Sequence, residues 1–293
     1  AIVLVVPESS IYVVFNPHHV VTDAISNGIL QKDFRIALNG GILDPEDFSL
    51  FDLIDYQEYL KDSSLYDEMD EWFDSYFSDV EMVSFPVSQS NYEGPSKMLP
   101  VDIDASAVKE FCRKHGIRVK NFYLTAAIRC VEEMVNKTVP VACPYGRRDD
   151  PRYANSVGLF ASLSWAILPV RCDDAVEDFV QADRAMRTVD RMIDYPDYRM
   201  AERGITDLPL VNYDYLIDVV DSGADDGGSD VRPVEVQMSA APGSPGVLVM
   251  ASNHPVDPEK HMVMCIYGGD MFCDGDMQGY LDNVKELISS VVS

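Results

Sequence analysis

His18 and His19 follow a β-rich run at residues 11–15, and Asp23 stands four residues after the second of them. Imidazole titrates near neutrality, which suits it to act as general base toward an amine or hydroxyl nucleophile. Neighbouring side chains at a strand end point to opposite sides, so only one of two adjacent histidines can face a given cavity. A carboxylate one turn further along is placed to fix the loop and not to touch a substrate. The stretch HHVVTDA at 18–24 therefore predicts one working imidazole, one packing imidazole and one structural carboxylate. On the residues alone, a pair of surface or core histidines at a helix entry fits the same spacing.

Other chemistry-bearing spacings are weaker. Cys112 and His115 share one helical face, but no second ligand pair follows, so no metal site is expected there. The acidic stretch DSGADDGGSD at 221–230 lacks a calcium loop's closing glutamate, because the twelfth position from Asp221 is Arg232. His254 and His261 flank a proline-bounded turn. Gly40-Gly41 and Gly227-Gly228 carry no phosphate-loop pattern.

The elements that must position these groups read as mixed α and β. Residues 2–6 and 11–15 read as a strand–turn–strand, and a helix begins near Thr22-Asp23-Ala24. Between 44 and 81 the chain carries 14 acidic residues against one base, Lys61, while Leu65, Met69, Trp72, Phe73, Tyr76 and Phe77 recur at helical spacing. That pattern predicts an amphipathic helix with an acidic solvated face. Residues 84–100 are rich in Ser, Pro, Gly and Asn, and a linker is expected at 86–100. It divides the remainder of an N-terminal lobe, 1–85, from a C-terminal lobe, 101–293. Beyond it, Val108, Phe111, Cys112 and His115 form one helical face ended by Gly116. Helices at 121–135, 175–193 and 277–291 alternate with strands at 97–103, 139–143, 157–170, 211–220, 234–238, 246–252 and 261–266. Such alternation indicates α/β or α+β layering.

Composition narrows the partners. The net charge of -26 repels polyanions, so nucleic acid and anionic membrane are not expected to bind. No apolar run approaches the roughly 18–20 residues that cross a bilayer. Six scattered cysteines without a CxxC suit reduced thiols, and a cytoplasmic location is expected. The opening residues lack the basic region of a signal peptide. The chain starts with Ala inside an apparent sheet, so it is expected to be part of a longer polypeptide whose N-terminal portion would complete it.

HHVVTDA resembles the HHxxxDG signature of the chloramphenicol acetyltransferase-like superfamily, which includes the condensation domains of nonribosomal peptide synthetases. Ala24 departs from the signature's final glycine. Further features keep that family's order: Asp55-Tyr56-Gln57-Glu58-Tyr59 with Trp72-Phe73; the strand–helix–helix at 101–135; the turn Pro144-Tyr145-Gly146-Arg147; and Val157-Gly158-Leu159-Phe160 before Leu168-Pro169-Val170-Arg171. No counterpart of the late condensation motifs is found, which favours a standalone or divergent acyltransferase.

The resemblance implies two acetyltransferase-like lobes in a V, the N-terminal one incomplete in this chain, with a substrate channel between them. It implies acyl transfer from a phosphopantetheine thioester, on a carrier protein or CoA, to a small-molecule amine or hydroxyl acceptor, with no bound cofactor and no metal. His19 would be the catalytic histidine, supported by His18 and by Asp23, whose expected ion-pair partner is Arg147. Ala24, Gly158 and Ser162 would border the channel, Ser162 standing where the family often has Asn. A non-catalytic binding or scaffold protein that keeps the fold is the alternative, motivated by Ala24, Ser162 and the missing late motifs.

Overall fold

A computed structural model describes residues 2–6, 10–14, 17–18, 21–45, 49–78, 84–85, 96–148, 150–194, 208–209, 211–217, 246–268 and 272–293. His19, the expected linker residues 86–95 and the expected strand at 234–238 lie outside the described residues. The chain falls into two compact units. The first gathers the described residues of Ala1–Leu60 and Gly146–Ser162; the second gathers those of Lys61–Tyr145, Leu163–Val219 and Val234–Ser293.

In the first unit, β1 (Ile2–Val6) and β2 (Ser10–Val14) form an antiparallel pair, with Ile2 opposite Val14. Helix α1 (Ala24–Leu38) and helix α2 (Ser49–Leu60) follow. Leu53 of α2 packs with Tyr153 and Phe160 in a small buried cluster, and Leu50 lies against it.

The second unit begins with α3 (Ser64–Phe77), capped by the Ser63 hydroxyl, with Met69 and Phe73 buried as the spacing predicts. Then come β3 (Ser84–Phe85), β4 (Ser96–Asp104), α4 (Ala105–His115), α5 (Val119–Val135), β5 (Val141–Tyr145), β6 (Ser162–Ala166), α6 (Ala175–Arg191), β7 (Leu208–Pro209), β8 (Val211–Tyr215), β9 (Val247–Asn253), β10 (Lys260–Gly268) and α7 (Asp274–Val292). The main sheet runs β4-β10-β9-β8-β5-β6; β10 is antiparallel to both its neighbours, while β5, β8 and β9 are mutually parallel. A small β3–β7 pair stands apart from it.

Gly116 ends α4 in the left-handed region, φ 68°, where it costs glycine nothing. β4 starts at Ser96, inside the stretch read as linker, because its pairing with β10 continues from Asp104 back to that residue. Pro100 is tolerated within it because β4 is an edge strand.

The long strand expected at 157–170 is realised only at Ser162–Ala166. Side chains claim the backbone at both ends. Ser26 and Asp23 take the polar groups of Gly158 and the N–H of Phe160. At the other end the Tyr76 hydroxyl accepts from the Ile167 N–H at 2.8 Å and donates to its carbonyl at 2.6 Å.

Among the described residues no helix is long and apolar enough to cross a membrane.

Candidate functional site

Asp23 ends the histidine-bearing segment and begins α1. As N-cap its carboxylate accepts the Ser26 N–H at 2.7 Å, satisfying one of the donors that a helix start leaves open. The same carboxylate accepts the Phe160 N–H at 3.1 Å and lies 3.1 and 3.2 Å from Arg148 Nη2. Burial pushes the Asp23 carboxyl up. The Ser26 N–H and hydroxyl, the Arg148 guanidinium and the Phe160 N–H together outweigh burial and hold it below its ordinary value.

Arg148, not Arg147, is thus the partner of Asp23. The pattern P-x-G-R selects the first of the two arginines, and the backbone decides otherwise. Arg147 sits at φ 49°, a left-handed turn that aims its Nε at the Ser162 hydroxyl, 3.2 Å away. The next residue faces α1. Arg148 Nη2 also donates to Ser26 Oγ at 2.8 Å, and Nη1 donates to the carbonyls of Tyr153 and Ser156. Its guanidinium lies 4.4 Å from the Phe160 ring centroid. The only sequence signal for this role is the doubled Arg147-Arg148, which spacing alone cannot resolve.

The remaining expected residues are placed as follows. His18 is exposed, and its carbonyl accepts the Val21 N–H at 3.0 Å. Ala24 is the first residue of α1 and its φ is not positive, so its methyl brings no backbone strain where the signature has glycine. Gly158 bonds the buried Ser26 hydroxyl twice, accepting at 2.8 Å and donating at 3.0 Å. A Cβ there would lie 2.7 Å from Leu50 Cδ2, so the Leu50 side chain of α2 packs against this position. Asp23, Ser26, Arg148, Gly158 and Phe160 are therefore one assembly, while Arg147 and Ser162 form a second contact.

Two further spacings are accounted for in the second unit. Cys112 is buried, and the His115 ring lies 4.5 Å from that of Phe111. His261 is buried, with the Tyr123 hydroxyl 2.8 Å from Nδ1. Among the described residues no group of three or more His, Cys, Asp or Glu is arranged to hold a metal ion.

The mixed sheet with its flanking helices has the fold of solved condensation and epimerization domains. The epimerization domain from the third module of tyrocidine synthetase B matches with a TM-score of 0.73 at 15% identity, over 94% of this chain and 67% of that one. The condensation domain of the Monacolin K polyketide synthase MokA matches with a TM-score of 0.73 at 16% identity, over 94% and 68%. In sequence, the chain is 28% identical over 188 residues to the nonribosomal peptide synthetase ungA' of Aspergillus campestris. That match takes in 61% of this chain and 2% of the synthetase, so the chain spans only a small part of this relative. No family model matches.

Proposed function

We propose that the protein is an acyltransferase of the condensation type. It would move an acyl group from a phosphopantetheine thioester, carried on a carrier protein or as CoA, to an amine or hydroxyl acceptor. His19 takes the proton of the acceptor as its nitrogen or oxygen attacks the thioester carbonyl. The tetrahedral intermediate then collapses, the C–S bond breaks, and the thiol departs with the proton.

The supporting observation is the fastening of Asp23. A buried carboxylate, capped into α1 and gripped by Arg148, stands four residues after His19, where the HHxxxD pattern puts a structural carboxylate. Such a pair contributes geometry more dependably than stability. Because Ala24 is helical, the departure from glycine there does not by itself argue for a purely binding role.

The test offers the full-length protein a panel of acyl-pantetheine thioesters with amine and alcohol acceptors, beside His19→Ala, and reads products by mass spectrometry. Product from the native protein and a loss of about 10²-fold or more in the variant supports the reading. Undiminished transfer by folded His19→Ala refutes the mechanism. Binding of a thioester without turnover favours the scaffold alternative.

A further inference from the structure

The main sheet has two unlike faces. On one, Val211 and Tyr213 of β8, Val249 and Ala251 of β9, and Val263 and Cys265 of β10 join residues of α4, α5, α6 and α7 in the large buried core. Strand alternation sends the residues between them to the other face. There the register sets Asp214 beside Met250 and Met250 opposite Met264; in the next row, Asn212 lies beside Leu248 and Leu248 opposite Ile266. Met264 is buried, while the other five keep part of their surface accessible.

Asp214 is the one ionisable side chain among the six. Other carboxylates buried in this unit have their own cations: Asp178 lies 2.8 Å from Arg129, and Asp183 lies 2.6 Å from Arg187. Asp214 has no ion pair among the described residues and accepts only the backbone N–H of Tyr215. Loss of solvent pushes its carboxyl up, with no charge among the described residues to offset the cost. A half-desolvated carboxylate on a wall of methionine, leucine and isoleucine is complementary to a cation that arrives from outside with an apolar body. Methionine side chains adapt to varied apolar shapes.

We propose that this face of the sheet binds a small organic ammonium compound, Asp214 taking the ammonium group and Leu248, Met250 and Ile266 its apolar body. The inference stands on the sheet face alone. If acyl transfer also holds, the ammonium is the protonated form of an amine acceptor, and Asp214 selects amines over alcohols.

Calorimetric titration with phenethylammonium and with its uncharged counterpart 2-phenylethanol tests this without any thioester, so it succeeds or fails independently of the transfer reaction. The native protein should bind the ammonium at least about tenfold more tightly, the worth of one charge-assisted hydrogen bond. Asp214→Asn should erase that preference. Met250→Lys, which sets a cation beside Asp214, should abolish ammonium binding while the thermal melt stays native. Equal affinity for the two compounds, no binding of either at millimolar concentration, or a preference that survives in Asp214→Asn overturns the proposal. Should Asp214→Asn fail to fold, unchanged ammonium binding by Met250→Lys overturns it equally.

Discussion

Arg148→Ala, measured in a cycle with Asp23→Ala, isolates the contact that fastens α1 to the turn at 146–148. Both side chains are almost wholly withdrawn from solvent, 7% and 4% exposed. Removing the arginine leaves the Asp23 carboxylate with Ser26 and the Phe160 N–H but no cation, and takes a donor from the carbonyls of Tyr153 and Ser156. Breaking one side of a buried pair costs about 3–5 kcal/mol. Removing the aspartate strands a buried guanidinium and also uncaps α1, the cap alone being worth about 1 kcal/mol. Either change destroys the same contact, so the double variant should lose less than the sum, with a coupling of about 2–3 kcal/mol. Urea unfolding followed by far-UV circular dichroism reads all four proteins. The matching cycle of Asp23 with Arg147 should give a clearly smaller coupling, since Arg147 turns to Ser162. An Arg148 cycle that is additive within about 0.5 kcal/mol, or a larger coupling for Arg147, refutes this assignment.

Acid should act through the same carboxylate. Its folded pKa is lowered, so its contribution is fully present above the unfolded value, about 3.9, and is lost as pH falls from there through the folded pKa. Stability of the native protein should therefore drop more steeply below about pH 4 than that of Asp23→Asn, and parallel acid unfolding curves would count against it. Gly158→Ala should cost about 1 kcal/mol, because its methyl meets Leu50 Cδ2 at 2.7 Å and that half-buried side chain must turn aside. Adding Leu50→Ala should restore part of that loss in thermal melts. A deficit untouched by Leu50→Ala would place the strain elsewhere.

What could be read from the sequence was local. The stripe Val108, Phe111, Cys112 and the stop at Gly116 specify α4 without reference to the rest of the chain. Likewise Leu281, Val284 and Ile288 mark the buried side of α7. Asp23 was legible as a structural carboxylate because a helix cap needs only three residues of context. The shortening of β6 was not legible. It depends on Ser26 and Asp23, more than 130 residues away in sequence, and on Tyr76, 91 residues away. The exchange of Arg147 for Arg148 was hidden for a related reason: a non-glycine residue at φ 49° leaves no mark in spacing. Asp214 went unremarked because one polar residue in an apolar strand gains meaning only once its neighbours across the sheet are known.

The edge at β4 has a bearing on how the protein behaves among its own copies. An outermost strand offers unpaired backbone groups to any other chain that can extend the sheet, and long flat edges of this kind seed aggregates. Here the row is interrupted at Pro100, which has no hydrogen to donate, and it is flanked by Lys97, Asp102 and Asp104. A second molecule adding a strand would find a gap midway and would bring its own -26 charge against the first. Among the described residues no strand pairs with the outer side of β4, and its proline and flanking charges disfavour extension of the sheet there by a second copy.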